Sequence, residues 1–171
     1  MRNPFLCALA VGGIVVGAVV HAADEPKKAS PLDRIKALAG DWVRVGEDGK
    51  PTAKVVSSYK VTAAGSAVVE TMLPGSAHEM VTVYHMDGEQ LMLTHYCAQG
   101  NQPRMKAKPG GSADRIEFSC AGVTNLKSED DPHMHAATFI FLGPDRLRSE
   151  WQFFDKGKCT ETAKFDVARK N

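Results

Sequence analysis

Beyond Asp41 the chain follows a hydrophobic period of two, and that property limits its fold more than any other. Ten short segments rich in β-branched, aromatic and aliphatic residues follow one another, at 41–45, 54–62, 67–73, 78–86, 90–98, 104–108, 115–121, 133–142, 146–154 and 159–167. Side chains on a strand alternate between its two faces, so segments of this kind build walls with one apolar side. Turn-forming groups separate them: Gly46-Glu47-Asp48-Gly49, Ala64-Gly65, Pro74-Gly75, Asp87-Gly88, Gly110-Gly111, Gly143-Pro144-Asp145 and Lys156-Gly157. Strands at hairpin spacing predict an antiparallel meander. Such a sheet removes its exposed edges most simply by closing, so the expected architecture is all-β, an antiparallel up-and-down barrel of about 8–10 strands.

The alternation is sharpest near the end of the chain. Leu147, Ser149, Trp151 and Phe153 share one face, and Arg146, Arg148, Glu150 and Gln152 the other. Ile116, Phe118 and Cys120 likewise oppose Arg115, Glu117 and Ser119. One helical signal precedes the strands: Ser30 as N-cap, Pro31 at the first position and Asp33 near the positive end, with Gly40 placed to stop the helix. Leu32, Ile35 and Leu38 give it a single apolar face, too short to form a core alone.

Ahead of this unit, residues 1–23 carry the marks of a cleaved secretory signal: Arg2, an apolar run from Phe5 to Val20, then small residues at Ala22 and Ala23. The apolar run is shorter than the roughly 20 residues of a spanning helix and is interrupted by Gly12, Gly13 and Gly17. Residues 24–30 read as a polar linker and 31–171 as the barrel domain, and the expected location is the periplasm or the exterior. Cleavage would remove one of the 21 basic residues, Arg2, leaving them equal to the 20 acidic ones. A neutral domain without a basic run offers no electrostatic reason to bind nucleic acid or anionic membrane. Three cysteines would remain, Cys97, Cys120 and Cys159, an odd number that leaves at least one without an intrachain partner.

Three groups of residues are candidates for chemistry. Taking Asp87-Gly88 as the central residues of a hairpin turn puts Glu89 opposite Met86, His95 opposite Met80 and Cys97 opposite His78. His78, His95 and Cys97 then share a face, and imidazoles with a thiolate suit a transition metal. His133 and His135, two apart on a strand, form a second metal candidate. Pairing Phe141 with Leu147 turns both toward the core with Trp151, whereas a one-residue change in the loop turns both outward. The third group is Asn101-Gln102-Pro103-Arg104, where Pro103 holds the preceding residue extended and Arg104 offers a fork for a carboxylate or phosphate. The alternative is that these side chains satisfy loop backbone. No nucleophile elbow, paired carboxylates or phosphate-binding glycine loop is present, so no catalytic residue is assigned.

Leu38-Ala39-Gly40-Asp41-Trp42 resembles the Gly-x-Trp entry that follows a short helix in lipocalins and related calycin barrels. The resemblance implies structural roles for Gly40 and Trp42, with Arg169 from the last strand lying over the indole. In the nitrobindin-like branch the motif continues Gly-x-Gly; here Arg44 replaces the middle glycine, so haem is not expected. Glu70-Thr71-Met72-Leu73-Pro74-Gly75, Thr94-His95-Tyr96-Cys97, Asn101-Gln102-Pro103-Arg104-Met105 and His133-Met134-His135 resemble a family of small secreted bacterial proteins with lipocalin-like barrels and no settled function. The expected function is binding of a small, largely apolar molecule in the barrel, with His95, Cys97, Asn101, Gln102, Arg104 and Trp151 as ligand contacts. The alternatives are a metal-binding protein or metal-dependent enzyme, and an envelope interaction module.

Overall fold

The computed structural model describes residues 30–170, and the expected leader and all of the linker but Ser30 lie outside them. Helix α1, Pro31–Lys36, is capped as its sequence predicts: the Ser30 hydroxyl accepts from the Leu32 amide, and the Asp33 carboxylate accepts from the Ser30 amide. It ends before Gly40, which instead opens the first strand at φ 117°, a value that favours glycine. The strands are β1 (Gly40–Val45), β2 (Pro51–Thr62), β3 (Ala67–Met72), β4 (Met80–Asp87), β5 (Gln90–Tyr96), β6 (Gln102–Ala107), β7 (Arg115–Thr124), β8 (His133–Gly143), β9 (Arg146–Asp155) and β10 (Lys158–Arg169). Each pairs antiparallel with its sequence neighbours and β10 returns to β1, giving a closed ten-stranded up-and-down barrel.

The inward stripes meet as one core. Val68 and Met72, Leu91 and Leu93, Phe118 and Phe139, Leu147 and Trp151 are all buried, and the Tyr84, Phe118, Phe139 and Trp151 rings pack at steep angles around the centre. Leu32 and Ile35 of α1 join this core beside the β2–β3 and β4–β5 turns. At that end Trp42 is fully buried and its indole N–H donates to the Leu38 carbonyl at 2.7 Å. The Arg169 guanidinium lies 4.6 Å from the Trp42 ring and donates to the Ala37 and Ala39 carbonyls, with Nε on the Asp145 carboxylate. This stack is worth about 0.5–2 kcal/mol and ties the first and last strands to the β8–β9 turn.

Two local irregularities set which residues face one another. Asp87 pairs with Gln90, so the two-residue turn is Gly88-Glu89 rather than Asp87-Gly88, with Gly88 at φ 57° as its first residue. That moves the β4–β5 register by two, and His95 faces Thr82 instead of Met80. On β8, Phe141 does pair with Leu147, but a bulge between Met134 and Ala136 reverses the parity beyond it. Met134 pairs with Phe153 toward the interior, whereas His133 pairs with Phe154 on the other side.

Candidate functional site

Turns alternate between the barrel's ends, and the end away from α1 is open. A cavity of about 380 Å³ enters there, walled by Met80, Cys97, Met134, Phe153 and Ala163, with His78 and Glu161 among its lining. Beside it, β1 meets β10 only at Trp42–Arg44, which leaves the lower part of β10, including Glu161 and Ala163, outside that ladder. The next inward layer, two residues deeper on β5 and β9, holds His95 and Trp151. Their rings lie 4.8 Å apart, and both side chains are about 1 % exposed.

Those two rings carry unusual nitrogens. His95 Nδ1 is 2.9 Å from the Thr82 hydroxyl, but its Nε2 and the indole Nε1 of Trp151 are buried without a hydrogen-bond partner among the described residues. A buried polar group lacking its bond costs about 1–3 kcal/mol unless a ligand or water completes the set. Burial lowers the His95 pKa to about 4, which keeps the ring neutral near pH 7.

The register carries a polar row across the interior from here: Tyr59 faces Glu70, Glu70 faces Thr82, and Thr82 faces His95. Glu70 is 1 % exposed, and its carboxyl accepts from the Ser57 hydroxyl at 2.9 Å, from Tyr59 at 2.7 Å and from Tyr84 at 2.6 Å. Burial raises the Glu70 pKa although these three bonds oppose the shift, and burial beside Glu70 drives both tyrosines well above their ordinary value. Glu70 was not among the residues singled out from the sequence. It was legible there as a lone acid on the stripe Val68, Glu70, Met72.

Of the first metal candidate, His78 and Cys97 line the mouth cavity, while His95 lies in the buried layer beneath them. Burial raises the Cys97 thiol's pKa, the opposite of what an activated thiolate needs. Among the described residues, the His, Cys and acidic side chains placed to share an ion are Cys120, His133 and His135, whose ligand atoms lie within 4.8 Å of one another. His133 Nε2 is 3.0 Å from His135 Nδ1, and the His135 ring stacks on Phe154 with centroids 4.2 Å apart. Desolvation, then the neighbouring His133, lowers the His135 pKa. All three residues border a cavity of about 610 Å³ under the β7–β8 connection, separate from the mouth. Among the described residues Cys97, Cys120 and Cys159 form no disulfide.

No protein-family model matches this chain, and no curated protein matches it significantly. The site therefore rests on geometry. In the Asn101-Gln102-Pro103-Arg104 segment, Asn101 Nδ2 donates to the Pro132 carbonyl and Gln102 Nε2 to the Gly100 carbonyl, while Thr124 donates to Gln102 Oε1. These amides hold the β5–β6 and β7–β8 connections together, and Arg104 is exposed. A surface cleft of about 690 Å³ lies at the α1 end between Arg34, Glu89 and the Gly110-Gly111 turn. It is lined by turn backbone, charged side chains and the apolar Leu91, Ala107 and Ile116. Arg34 Nη1 donates to the Ser112 and Arg115 carbonyls and the guanidinium lies over the Phe141 ring, while its Nη2 is a further buried atom without a hydrogen-bond partner among the described residues.

Proposed function

We propose that this protein is a secreted or periplasmic lipocalin-like barrel that holds one small, largely apolar molecule at the mouth opposite α1. The observation that carries this reading is the pair of unpartnered nitrogens, His95 Nε2 and Trp151 Nε1, one layer behind an apolar cavity of about 380 Å³. A cavity of that size falls in the range of about 300–1,000 Å³ used for small ligands, and a few polar groups in an apolar wall are what such sites use to orient one. Met80 and Met134 line the cavity, and their flexible thioether chains re-pack readily around a guest. Trp151 can only donate, so the ligand's buried end carries an acceptor oxygen. Glu161 at the lining disfavours an anionic ligand and favours a neutral one.

The test is displacement of the neutral fluorophore N-phenyl-1-naphthylamine by 1-decanol and by decane. Binding of the fluorophore, displacement by the alcohol at lower concentration than by the alkane, and loss of at least about tenfold in affinity in Ala163→Trp, which fills the mouth, are expected. Equal binding to the wild type and to a folded Ala163→Trp variant would place the ligand elsewhere.

A further inference from the structure

We propose that Cys120, His133 and His135 form a binding site for a borderline or soft transition-metal ion, Zn(II) or copper, on the barrel wall outside the ligand cavity. Thiolate and imidazole are the donors that such ions prefer over magnesium or calcium, and two imidazoles with one thiolate leave a fourth position open. The cavity of about 610 Å³ beside them gives that position access to solvent or to an exogenous ligand.

Three features of the protein prepare the set. The bulge between Met134 and Ala136 turns His133 and His135 to one side of β8, where a regular strand would have sent them into the core. The register of β7 against β8, in which Ser119 faces Ala136, brings Cys120 next to His135. His133 Nδ1 lies 2.8 Å from the Asp131 carbonyl, which can only accept, so the proton sits on Nδ1 and Nε2 keeps its lone pair. A backbone carbonyl holding the far nitrogen is the arrangement that orients metal-ligating histidines.

The dimensions agree with the chemistry. Tetrahedral zinc with bonds of about 2.0–2.1 Å to nitrogen and 2.3 Å to sulfur sets ligand atoms about 3.3–3.6 Å apart. The imidazole nitrogens are 3.0 Å apart and every pair is within 4.8 Å, so small side-chain rotations complete the geometry. Without metal, His133 Nε2 accepts from His135 Nδ1–H. On binding, that proton moves to His135 Nε2, the Cys120 thiol forms the metal–sulfur bond, and its proton leaves to solvent, one per ion.

The experiment uses the untagged full chain, with Co(II) as an optical probe and Zn(II) or Cu(I) as competitor. Expected are one Co(II) per chain with a thiolate charge-transfer band, displacement by at least one competitor, and release of about one proton per Zn(II) in weakly buffered solution. Cys120→Ser abolishes the band, and His135→Gln weakens binding at least tenfold, while Cys97→Ser and Cys159→Ser leave both unchanged. Zn(II) also slows alkylation of Cys120, mapped by mass spectrometry, in the wild-type chain, which needs no variant to fold. A band that survives in Cys120→Ser, or Cys120 alkylated at the same rate with and without Zn(II), overturns the site.

Discussion

The Glu70 cluster and the His95–Trp151 pair share one barrel interior and one cross-strand row, yet the first is saturated with hydrogen bonds and the second is not. Each Glu70 oxygen accepts at least one hydroxyl, from Ser57, Tyr59 or Tyr84. Thr82 supplies a single bond to His95, and nothing in the described residues meets the far nitrogen or the Trp151 N–H. A satisfied buried network fixes the packing of a core, whereas an unsatisfied one carries the cost of its missing bonds. Under the proposed function the polar row has a structural end and a binding end.

Removing the carboxyl is the strongest way to break that contrast. Glu70→Ala strands three hydroxyls in a dry interior and leaves a cavity, and about 4 kcal/mol or outright failure to fold is expected in urea denaturation. Glu70→Gln, which keeps the shape, costs about 1–2 kcal/mol. A loss under about 1 kcal/mol for the alanine variant would show that the network is not structural.

Acid separates the two ends by sign. The His95 pKa falls on folding from 6.5 to about 4, so its contribution is complete above pH 6.5 and is lost as pH drops to about 4, on the order of 3 kcal/mol. The Glu70 pKa is raised on folding, so its contribution is complete below its ordinary value and is lost as pH rises through the folded one. Stability measured against pH in His95→Leu flattens the acid limb, and in Glu70→Gln the opposite limb; an unchanged acid limb in His95→Leu would show that the ring is not desolvated.

A smaller effect than for Glu70→Ala is expected for His95→Leu at pH 7, about 1–2 kcal/mol: it removes Nε2, which has no partner among the described residues, but also the bond between Nδ1 and the buried Thr82 hydroxyl. The same variant weakens 1-decanol binding about tenfold, the worth of roughly one hydrogen bond. A large loss of stability with unchanged binding would reverse the roles given to the two ends.

What the sequence shows of this molecule follows from which physics is local. Period-two alternation and turn residues are local, and the ten strands stand within a few residues of where those signals place them. Register depends on which residues a turn uses. Gly88 suits the first position of a turn as well as the second, so the pairing moved by two and His95 met Thr82. Bulges have no reliable local mark, and one extra residue at His135 separated His133 from the face that strict alternation assigns it. Cys120 was hidden for a related reason: alternation with Ile116 and Phe118 reads it as core, while its partners come from β8.

The two tryptophans supply the most direct measurement. Trp42 donates its indole N–H to the Leu38 carbonyl, and Trp151 has no acceptor among the described residues, so proton–nitrogen NMR holds one control and one reporter signal. On addition of 1-decanol the account predicts that the Trp151 indole signal moves downfield and saturates while that of Trp42 stays fixed. A titration that saturates with the Trp151 signal unmoved would contradict it.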